Sequence, residues 1–413
     1  MNADKKSSIN SSFIFTSILV GLYIDIKCIN WVLVYGFFSG RENGFMSVLY
    51  PITILMIIMI YVTTGIRKNI KKSIYNCLLA VFFVFFYALT YAFIGEPRVS
   101  ISFFALFTLS GLLISNYVRV DGRILLLSIM FWPCFAITRL DKVFVMTLDW
   151  VDVISMDASY AFMPPIIATI IYCSFYYKKE KVFVKIIAIA LTLINFVYFL
   201  KLFQYGSRGP LLSIFSTIFF LMVCKKKEGL NGVRIDIKRL FLIIGVILIS
   251  ISLMGAFLGY LLNILDELGL QSRAIEKILR LSFEGDISNG RESLQTLAID
   301  GFLKNFVFGN GLDRFDANTG GAYPHNFIIQ ILYDGGIVLF FVLLVPMIKG
   351  IVSIYKRCNS NQYVVYTLLM FSSVPYALLS LDMWENAVLW LFIGAIFSRT
   401  FVLNSENTIK EYE

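Results

Sequence analysis

Charged residues are scarce in this 413-residue chain, and histidine is almost absent from it. Only 15% of the residues are charged and one is a histidine, whereas 58% are hydrophobic and the mean hydropathy is +0.77. This composition is far too apolar for an ordinary soluble domain. The formal net charge of +9 is therefore interpreted as a membrane-topology signal, and no nucleic-acid partner is expected.

Motifs for metal binding and for disulfide frameworks are also missing. The six cysteines show no C-x-x-C spacing, so neither a zinc site nor a set of disulfides is predicted. The chain has no D-x-D pair and no second histidine, and we therefore expect no metal and no cofactor. Paired Gly- or Pro-broken spans, typical of inverted-repeat transporters, are absent as well.

The chain does contain long apolar runs. Many are near the length of roughly 20 residues that crosses a bilayer as a helix, and they are continuous where a membrane β-barrel strand would alternate. We predict an all-α polytopic membrane protein, one integral membrane domain over residues 1–413, with about twelve transmembrane helices. The predicted spans are 11–25, 45–64, 74–94, 100–117, 124–138, 160–177, 182–203, 210–224, 240–262, 326–347, 363–381 and 387–403.

The distribution of Lys and Arg predicts the orientation. An even number of spans puts both termini on one side, and 23 of the 36 basic residues fall in segments on that side. Because cytoplasmic loops are enriched in Lys and Arg, we predict that both termini are cytoplasmic. The first apolar run has no small-x-small cleavage pattern, so we interpret it as an uncleaved span.

One external connection is much longer than the others. Residues 263–325, between spans nine and ten, contain apolar residues at helical spacing over roughly 262–281, as in an amphipathic interfacial helix. The segment Ser288-Asn289-Gly290-Arg291-Glu292 then offers a cap and an acidic first turn for a second helix that continues through Lys304. Periodicity of this kind argues against disorder, so we predict a folded periplasmic lid.

The single histidine, His325, stands where this loop meets the tenth span. Histidine is the only side chain whose unperturbed pKa lies near neutral pH, so any proton transfer here has one natural candidate. The alternative is structural: His325 caps the helix that begins after Pro324.

Two arginines and one aspartate are further candidates. Arg208 lies in a Gly- and Pro-containing external turn, where it binds either a ligand or lipid phosphates. Arg291 begins the predicted loop helix, where the alternative is a solvated charge. Asp334 lies nine residues beyond His325, about 13.5 Å along a helix, and we expect it to bond a neighbouring helix or the turn at Gly335-Gly336.

Several short motifs follow one another over roughly residues 200–345. They are Ser207-Arg208-Gly209, Asn289-Gly290-Arg291, Phe308-Gly309-Asn310-Gly311, Pro324-His325-Asn326-Phe327 and Asp334-Gly335-Gly336-Ile337. In order and spacing they resemble the signature of the O-antigen polymerase and O-antigen ligase superfamily. Those proteins are bacterial inner-membrane glycosyltransferases that act on undecaprenyl-diphosphate-linked glycans. The first 200 residues contribute only hydropathy, and the family often has Glu where Asp334 stands.

The resemblance implies a metal-independent glycosyl transfer. Arg208 and Arg291 are the predicted diphosphate-binding residues, because a guanidinium binds phosphate oxygens bidentately. His325 is the predicted catalytic base for the attacking hydroxyl, with Tyr323 and Asn326 as orienting partners.

Within the superfamily, the interpretation we favour is an O-antigen polymerase of the Wzy type. It would transfer a growing glycan from one undecaprenyl diphosphate to the terminal sugar of a second lipid-linked repeat unit, at the periplasmic face of the inner membrane. The alternative is an O-antigen ligase with lipid A core as acceptor, and a more remote one is a flippase for lipid-linked oligosaccharides. The expected partners are the lipid-linked donor and acceptor and membrane lipids, with a chain-length regulator as a further candidate.

Overall fold

The computed structural model describes residues 11–33, 45–64, 70–139, 151–205, 208–226, 232–252, 291–315, 323–379 and 382–398, together with residues 260, 263, 264, 267 and 319. Most of these residues are helical. The helices are α1 (Ser11–Ile24), α2 (Ile26–Trp31), α3 (Phe45–Thr64), α4 (Ile70–Phe93), α5 (Ile101–Phe103), α6 (Ser110–Tyr117), α7 (Gly122–Phe131), α8 (Val151–Phe175), α9 (Val182–Tyr205), α10 (Arg208–Val223), α11 (Ile237–Ser252), α12 (Arg291–Lys304), α13 (Phe327–Leu339), α14 (Val345–Arg357), α15 (Ser360–Leu379) and α16 (Ala387–Ser398).

Short elements connect some of these helices. Two π-helical segments, Phe104–Leu109 and Phe340–Leu344, join α5 to α6 and α13 to α14. The 3-10 segments are Trp132–Arg139, Tyr177–Lys179 and Met383–Glu385. An antiparallel pair of two-residue strands, β1 (Cys224–Lys225) and β2 (Arg234–Ile235), precedes α11.

The helices agree with the predicted spans in position. A helix overlaps each of the twelve predicted ranges, as expected for apolar segments that must satisfy their own backbone hydrogen bonds in lipid. Five segments of the described chain are long and apolar enough to cross a membrane: Ile74–Phe93, Ala158–Phe175, Val182–Phe203, Phe327–Arg357 and Ser360–Leu379. The number of twelve crossings stays a prediction.

The long connection before α13 is described only in part. Helix α12 spans Arg291–Lys304, with Glu292 in its first turn and Lys304 in its last, which confirms the second predicted loop helix. Apart from three residues, the amphipathic segment predicted over 262–281 lies outside the described residues, as do the predicted cap residues Ser288 to Gly290.

Small residues let α6 and α16 approach each other closely. A Cβ on Gly111 would lie 2.9 Å from the carbonyl oxygen of Ala387, and a Cβ on Gly394 would meet Ser115. Asn76 of α4 donates to the Gly394 carbonyl oxygen at 2.9 Å and to Ser115 Oγ at 3.2 Å. Close packing with interhelical hydrogen bonds is how helices associate in lipid, where apolar burial offers little driving force.

The turn before α16 is held firmly in this core. Trp384 is fully buried, and its ring stacks on that of Trp390 with centroids 5.4 Å apart. Thr108 Oγ1 donates to the carbonyl oxygen of Trp384 at 2.7 Å, and Trp390 Nε1 donates to that of Met383 at 2.8 Å. The backbone of the turn that begins at Asp382 is therefore fixed by these contacts.

Helix α15 connects the two ends of the bundle. Near its first turn Tyr363 Oη donates to the carbonyl oxygen of Cys224 at 2.7 Å, whereas at its last residue the Leu379 carbonyl oxygen accepts from Arg291. A helix of 20 residues is about 30 Å long, so these contacts lie far apart. We call the residues near Leu379 the site end: Arg98, Arg291, Asp313, His325 and Asp382. The residues near Tyr363 form the opposite end: Arg123, Glu180, Lys225, Asp236 and Arg239.

The two ends contain different sets of loops. Within the described residues, the connections at 94–100, 305–315 and 382–386 meet at the site end, and those at 118–121, 224–226, 232–236 and 358–361 meet at the opposite end. This grouping agrees with the alternation of loops in the predicted topology. Which membrane face each end occupies stays a prediction.

Candidate active site

Two glycine motifs of the sequence pack against each other next to the site. Gly309 and Gly336 adopt φ values of 71° and 60°, a region that side chains other than glycine rarely occupy. A Cβ on Gly309 would meet the carbonyl oxygen of Asp334, and one on Gly336 would meet that of Val307. The Gly311 N–H donates to the Asp334 carbonyl oxygen at 2.9 Å. Helix α13 is interrupted at Gly336, where the backbone is not helical. The glycines therefore pack the 305–311 turn against this interruption.

The side chain of Asp334 has the structural role expected from the sequence. Trp384 Nε1 donates to its Oδ2 at 2.7 Å, so the carboxylate bonds a neighbouring element and not the turn at Gly335-Gly336. This bond couples α13 to the turn that contains Asp382.

Helix α13 is capped by Asn326 and not by the histidine. Asn326 Oδ1 accepts from the N–H groups of Ile328 at 3.0 Å and Ile329 at 3.3 Å. The alternative in which His325 caps this helix is therefore wrong, because His325 lies one residue before the cap. Since Asn326 uses its side-chain oxygen on the helix, its predicted orienting role has to rest on its remaining donor.

His325 has an unusual backbone conformation. Its φ is 55°, and Asp313, with φ 52°, is the other non-glycine residue with positive φ in the described part of the chain. Left-handed backbone costs a residue with a side chain about 1–2 kcal/mol. Such conformations persist when the surrounding structure imposes them, and they cluster at functional sites.

Tyr323 lies directly against the histidine. The ring centroids of Tyr323 and His325 are 4.1 Å apart at an interplanar angle of 43°. Burial raises the pKa of Tyr323 to about 12, and the positive charges of Arg291 and Arg98 oppose this rise. The phenol is therefore protonated at neutral pH. The structure brings Tyr323 and His325 into contact, and the orienting role of Tyr323 stays a prediction.

Arg291 also reaches this site. It is the first residue of α12, it is half-buried, and its guanidinium donates to the carbonyl oxygen of Leu379 at the end of α15. A cation at the C-terminus of a helix interacts favourably with the exposed carbonyls there. Because it bonds the protein and acts on Tyr323, Arg291 is more than a solvated surface charge.

The structure describes the backbone of Arg208 but not its side chain. Arg208 is the first residue of α10, and its side chain is outside the described residues. A Cβ on the next residue, Gly209, would meet Tyr160 Oη. Tyr160 stacks on Tyr376 with centroids 3.8 Å apart and acts electrostatically on Tyr323. The backbone at Arg208 and Gly209 therefore lies at the same end of the bundle as His325.

Sequence reasoning missed Arg98 and Asp382. The Arg98 guanidinium carbon lies 5.4 Å from the ring centroid of Tyr323, and Arg98 Nη1 lies 3.5 Å from Asp382 Oδ2. The signal that selected Arg208, a single arginine in an external turn with proline, also occurs at Glu96-Pro97-Arg98 and could have found it. Asp382 had no comparable signal.

A third buried aspartate supports the turn that contains Arg98. The carbonyl oxygen of Asp313 accepts from the Arg98 N–H at 3.1 Å, and its Oδ2 accepts from the Val99 N–H at 2.7 Å. Burial, and then the neighbouring Asp382 carboxyl, raise the pKa of Asp313 well above its ordinary value. The neutral form of Asp313 is therefore favoured beside the Asp382 carboxyl group.

Metal chemistry was not expected for this chain. Within the residues that the structure describes, no three His, Cys, Asp or Glu side chains come together as a metal-ligand set. Metal independence stays a prediction.

The fold and the site together define a multi-pass helical membrane protein in which two arginines act on the tyrosine that packs against His325, at one end of the bundle. Residues 195–344 of the 413 match the protein family described as O-antigen ligase, and this match supports membership of the O-antigen polymerase and ligase superfamily. Its members are membrane enzymes that transfer glycans. The matched segment contains Arg208, Arg291 and His325 but neither Arg98 nor Asp382. No curated protein is significantly similar to the chain.

Proposed function

We propose that this protein polymerises O-antigen repeat units linked to undecaprenyl diphosphate at the periplasmic face of the inner membrane. The growing glycan on one lipid is the donor, and the terminal sugar of a second lipid-linked unit is the acceptor. The observation that carries the proposal is the meeting of His325, Tyr323 and Arg291 at one end of a helical membrane bundle, inside the family-matched segment.

The proposed reaction replaces one bond to the anomeric carbon by another. The acceptor hydroxyl attacks C1 of the first sugar of the donor glycan, and the bond from C1 to the diphosphate oxygen breaks. The electron pair of that bond leaves with undecaprenyl diphosphate, and the proton of the attacking hydroxyl passes to His325. A positioned base of this kind contributes typically about 10²- to 10⁴-fold.

The arginines have a separate role in the proposal. Negative charge grows on the diphosphate as the bond breaks, and fixed cations that are already in place stabilise it without reorganisation. Arg291, held by the Leu379 carbonyl oxygen, and Arg208 are the proposed diphosphate-binding residues. Tyr323 packs on His325 and limits its movement.

A ligase that transfers the glycan to lipid A core is the second candidate. It is favoured by one specific observation, the description of the matching family as O-antigen ligase. Donor and leaving group are the same in both reactions, so the site residues proposed above apply to both.

Deletion in the native strain, followed by a lipopolysaccharide gel, tests the proposal. A polymerase predicts loss of the ladder with a single repeat unit retained on the core, and a plasmid copy of the wild-type chain should restore the ladder. Core alone, with lipid-linked polymer accumulating, would replace polymerase by ligase. A ladder that is unchanged by deletion would exclude both, and lipid-linked single units confined to the cytoplasmic face would indicate a transporter.

A further inference from the structure

Arg98 is a cation of the site end that the reaction described above does not use. It lies in the short connection between α4 and α5, about 100 residues before the family-matched segment begins. Its guanidinium is placed over the ring of Tyr323, which also packs against His325. The side chain is 29% exposed, so it lies at the boundary of the protein and not within its core.

The carboxylate that faces Arg98 is a rigid anchor. Asp382 is 1% exposed, and its Oδ1 accepts from Gln330 Nε2 at 2.9 Å and from the Trp384 N–H at 2.8 Å. Its Oδ2 faces Arg98 Nη1 at 3.5 Å. Gln330 is itself fixed, because its Oε1 accepts from the Met383 N–H at 3.1 Å. The position of the charge on Asp382 is therefore set by α13 and by the turn before α16.

The backbone of Arg98 is fixed as well. Asp313 accepts from the N–H groups of Arg98 and Val99, so both the main chain and the side chain of the arginine are positioned by buried aspartates. Burying carboxylates is expensive unless each is hydrogen-bonded and paired. Here that arrangement places one guanidinium beside the tyrosine that touches His325.

Two arginines consequently act on the same tyrosine. Both Arg98 and Arg291 lower the pKa of Tyr323 against the effect of burial, so the two positive charges converge on one position. Fixed positive charges that act on one position favour an anionic ligand there. A guanidinium has five N–H donors in a planar fork, which lets one arginine hold a carboxylate and a phosphate together.

We propose that Arg98, held by Asp382, is a further diphosphate-binding residue of the lipid-linked donor site. The inference rests on the proposed function, because it assumes a diphosphate donor at His325. The donor site then includes one residue that precedes the family-matched segment in the sequence, Arg98, and one that follows it, Asp382. Arg98 binds the phosphate, and Asp382 is a positioning residue that acts through Arg98.

The test is a binding measurement on the full-length protein in lipid nanodiscs. Undecaprenyl diphosphate is the probe, and undecaprenol, which has the same chain without phosphate, is the matched control ligand. Affinities are determined by native mass spectrometry for the wild type and for Arg98→Gln, Arg98→Lys and Arg314→Gln. Arg314 donates to the Glu96 carbonyl oxygen in the same connection, so Arg314→Gln removes a neighbouring guanidinium that the proposal does not use.

Arg98→Gln should weaken undecaprenyl diphosphate binding about tenfold or more and leave undecaprenol binding unchanged. Arg98→Lys keeps the charge but not the fork, so it should fall between the wild type and Arg98→Gln. Arg314→Gln should bind both lipids as the wild type does. Asp382→Asn keeps the acceptor for Gln330 and Trp384 but removes the negative charge, and it should raise KM for the lipid-linked donor more than it lowers kcat.

Different failures have different meanings in this experiment. If Arg98→Gln and the wild type bind undecaprenyl diphosphate equally, the inference is overturned and the proposed function stands. If the wild type does not prefer undecaprenyl diphosphate to undecaprenol, the proposed function fails together with the inference. Should Arg98→Gln fail to fold, Arg98→Lys with wild-type affinity for undecaprenyl diphosphate would be sufficient to overturn the inference.

Discussion

The charged side chains at the two ends of the bundle differ in their exposure to solvent. At the opposite end Lys225 and Arg239 pair with Asp236 at 3.1 and 3.3 Å, and these side chains stay 28–49% exposed. At the site end Asp313 and Asp382 are 3% and 1% exposed, and the described non-glycine residues with positive φ, Asp313 and His325, both lie there. Exposed ion pairs contribute little to stability, whereas buried carboxylates and strained backbone reduce it. The side chain of Glu180 at the opposite end is also buried, at 5% exposed, but it is paired with Arg123. Among the described residues, the strained non-glycine backbone lies at the site end, where the proposed chemistry takes place.

The largest effect is expected from changing an arginine at the site end. Arg291→Ala should lower glycosyl transfer about 10²-fold or more, because it removes a fixed positive charge from the leaving diphosphate. Arg208→Lys keeps the charge and loses the fork, and it should also be clearly impaired. Turnover with a purified lipid-linked repeat unit measures both, together with the amount of protein in the membrane. Wild-type polymer length and amount with either variant would remove that residue from the site.

Glycine substitutions should have different effects on stability at the site end and in the middle of α11. Gly336 has φ 60° and a Cβ there would meet the backbone of Phe306 and Val307, whereas a Cβ on Gly245, within α11, would meet nothing within 4 Å. Gly336→Ala should lower the free energy of unfolding by about 1–3 kcal/mol. Gly245→Ala should leave it unchanged or raise it by up to about 1 kcal/mol. Thermal unfolding in nanodiscs measures both, and equal effects would contradict the role given to Gly336.

The buried carboxyl pair should make stability depend on pH. Because the pKa of Asp313 is raised in the folded protein, the folded state holds a proton that the unfolded state has lost. Stability therefore falls as pH rises from the ordinary carboxyl pKa to the raised one. Asp313→Asn keeps an acceptor for the Val99 N–H and suits positive φ, but it cannot ionise.

Between about pH 4 and about pH 8, the midpoint temperature of thermal unfolding should consequently fall less steeply with pH for Asp313→Asn than for the wild type. The variant should also be at least as stable as the wild type at neutral pH. An identical slope for the two proteins would show that Asp313 does not titrate in this range.

The smallest effect is expected from a charge at the opposite end. Lys225→Gln removes one exposed partner of Asp236, and Arg239 remains to pair with that carboxylate. Turnover and donor affinity should both equal those of the wild type within error. A clear loss of turnover would mean that the opposite end takes part in the reaction, and the contrast between the ends would then fail.

The sequence predicts local features of this protein well and distant contacts poorly. The existence of α12, its end at Lys304 and the break at Gly335-Gly336 follow from nearby residues, through periodicity, capping and turn chemistry. For Asp334 the sequence left two partners open, and the structure shows a bond to a neighbouring element. Arg98 and Asp382 are 284 positions apart, and no local pattern relates them. The positive φ of His325 is likewise imposed by its surroundings.

His325→Asn tests the central claim, that His325 is the catalytic base, most directly. Alanine at this position would combine loss of the base with backbone strain, because φ is 55° and residues other than Gly, Asn and Asp tolerate that region poorly. Asparagine keeps the backbone conformation and a polar side chain but cannot accept the proton. With purified protein and a lipid-linked repeat unit, His325→Asn should lower turnover about 10²-fold or more while undecaprenyl diphosphate binding stays near wild type. Turnover close to that of the wild type would contradict the assignment of His325 as the base.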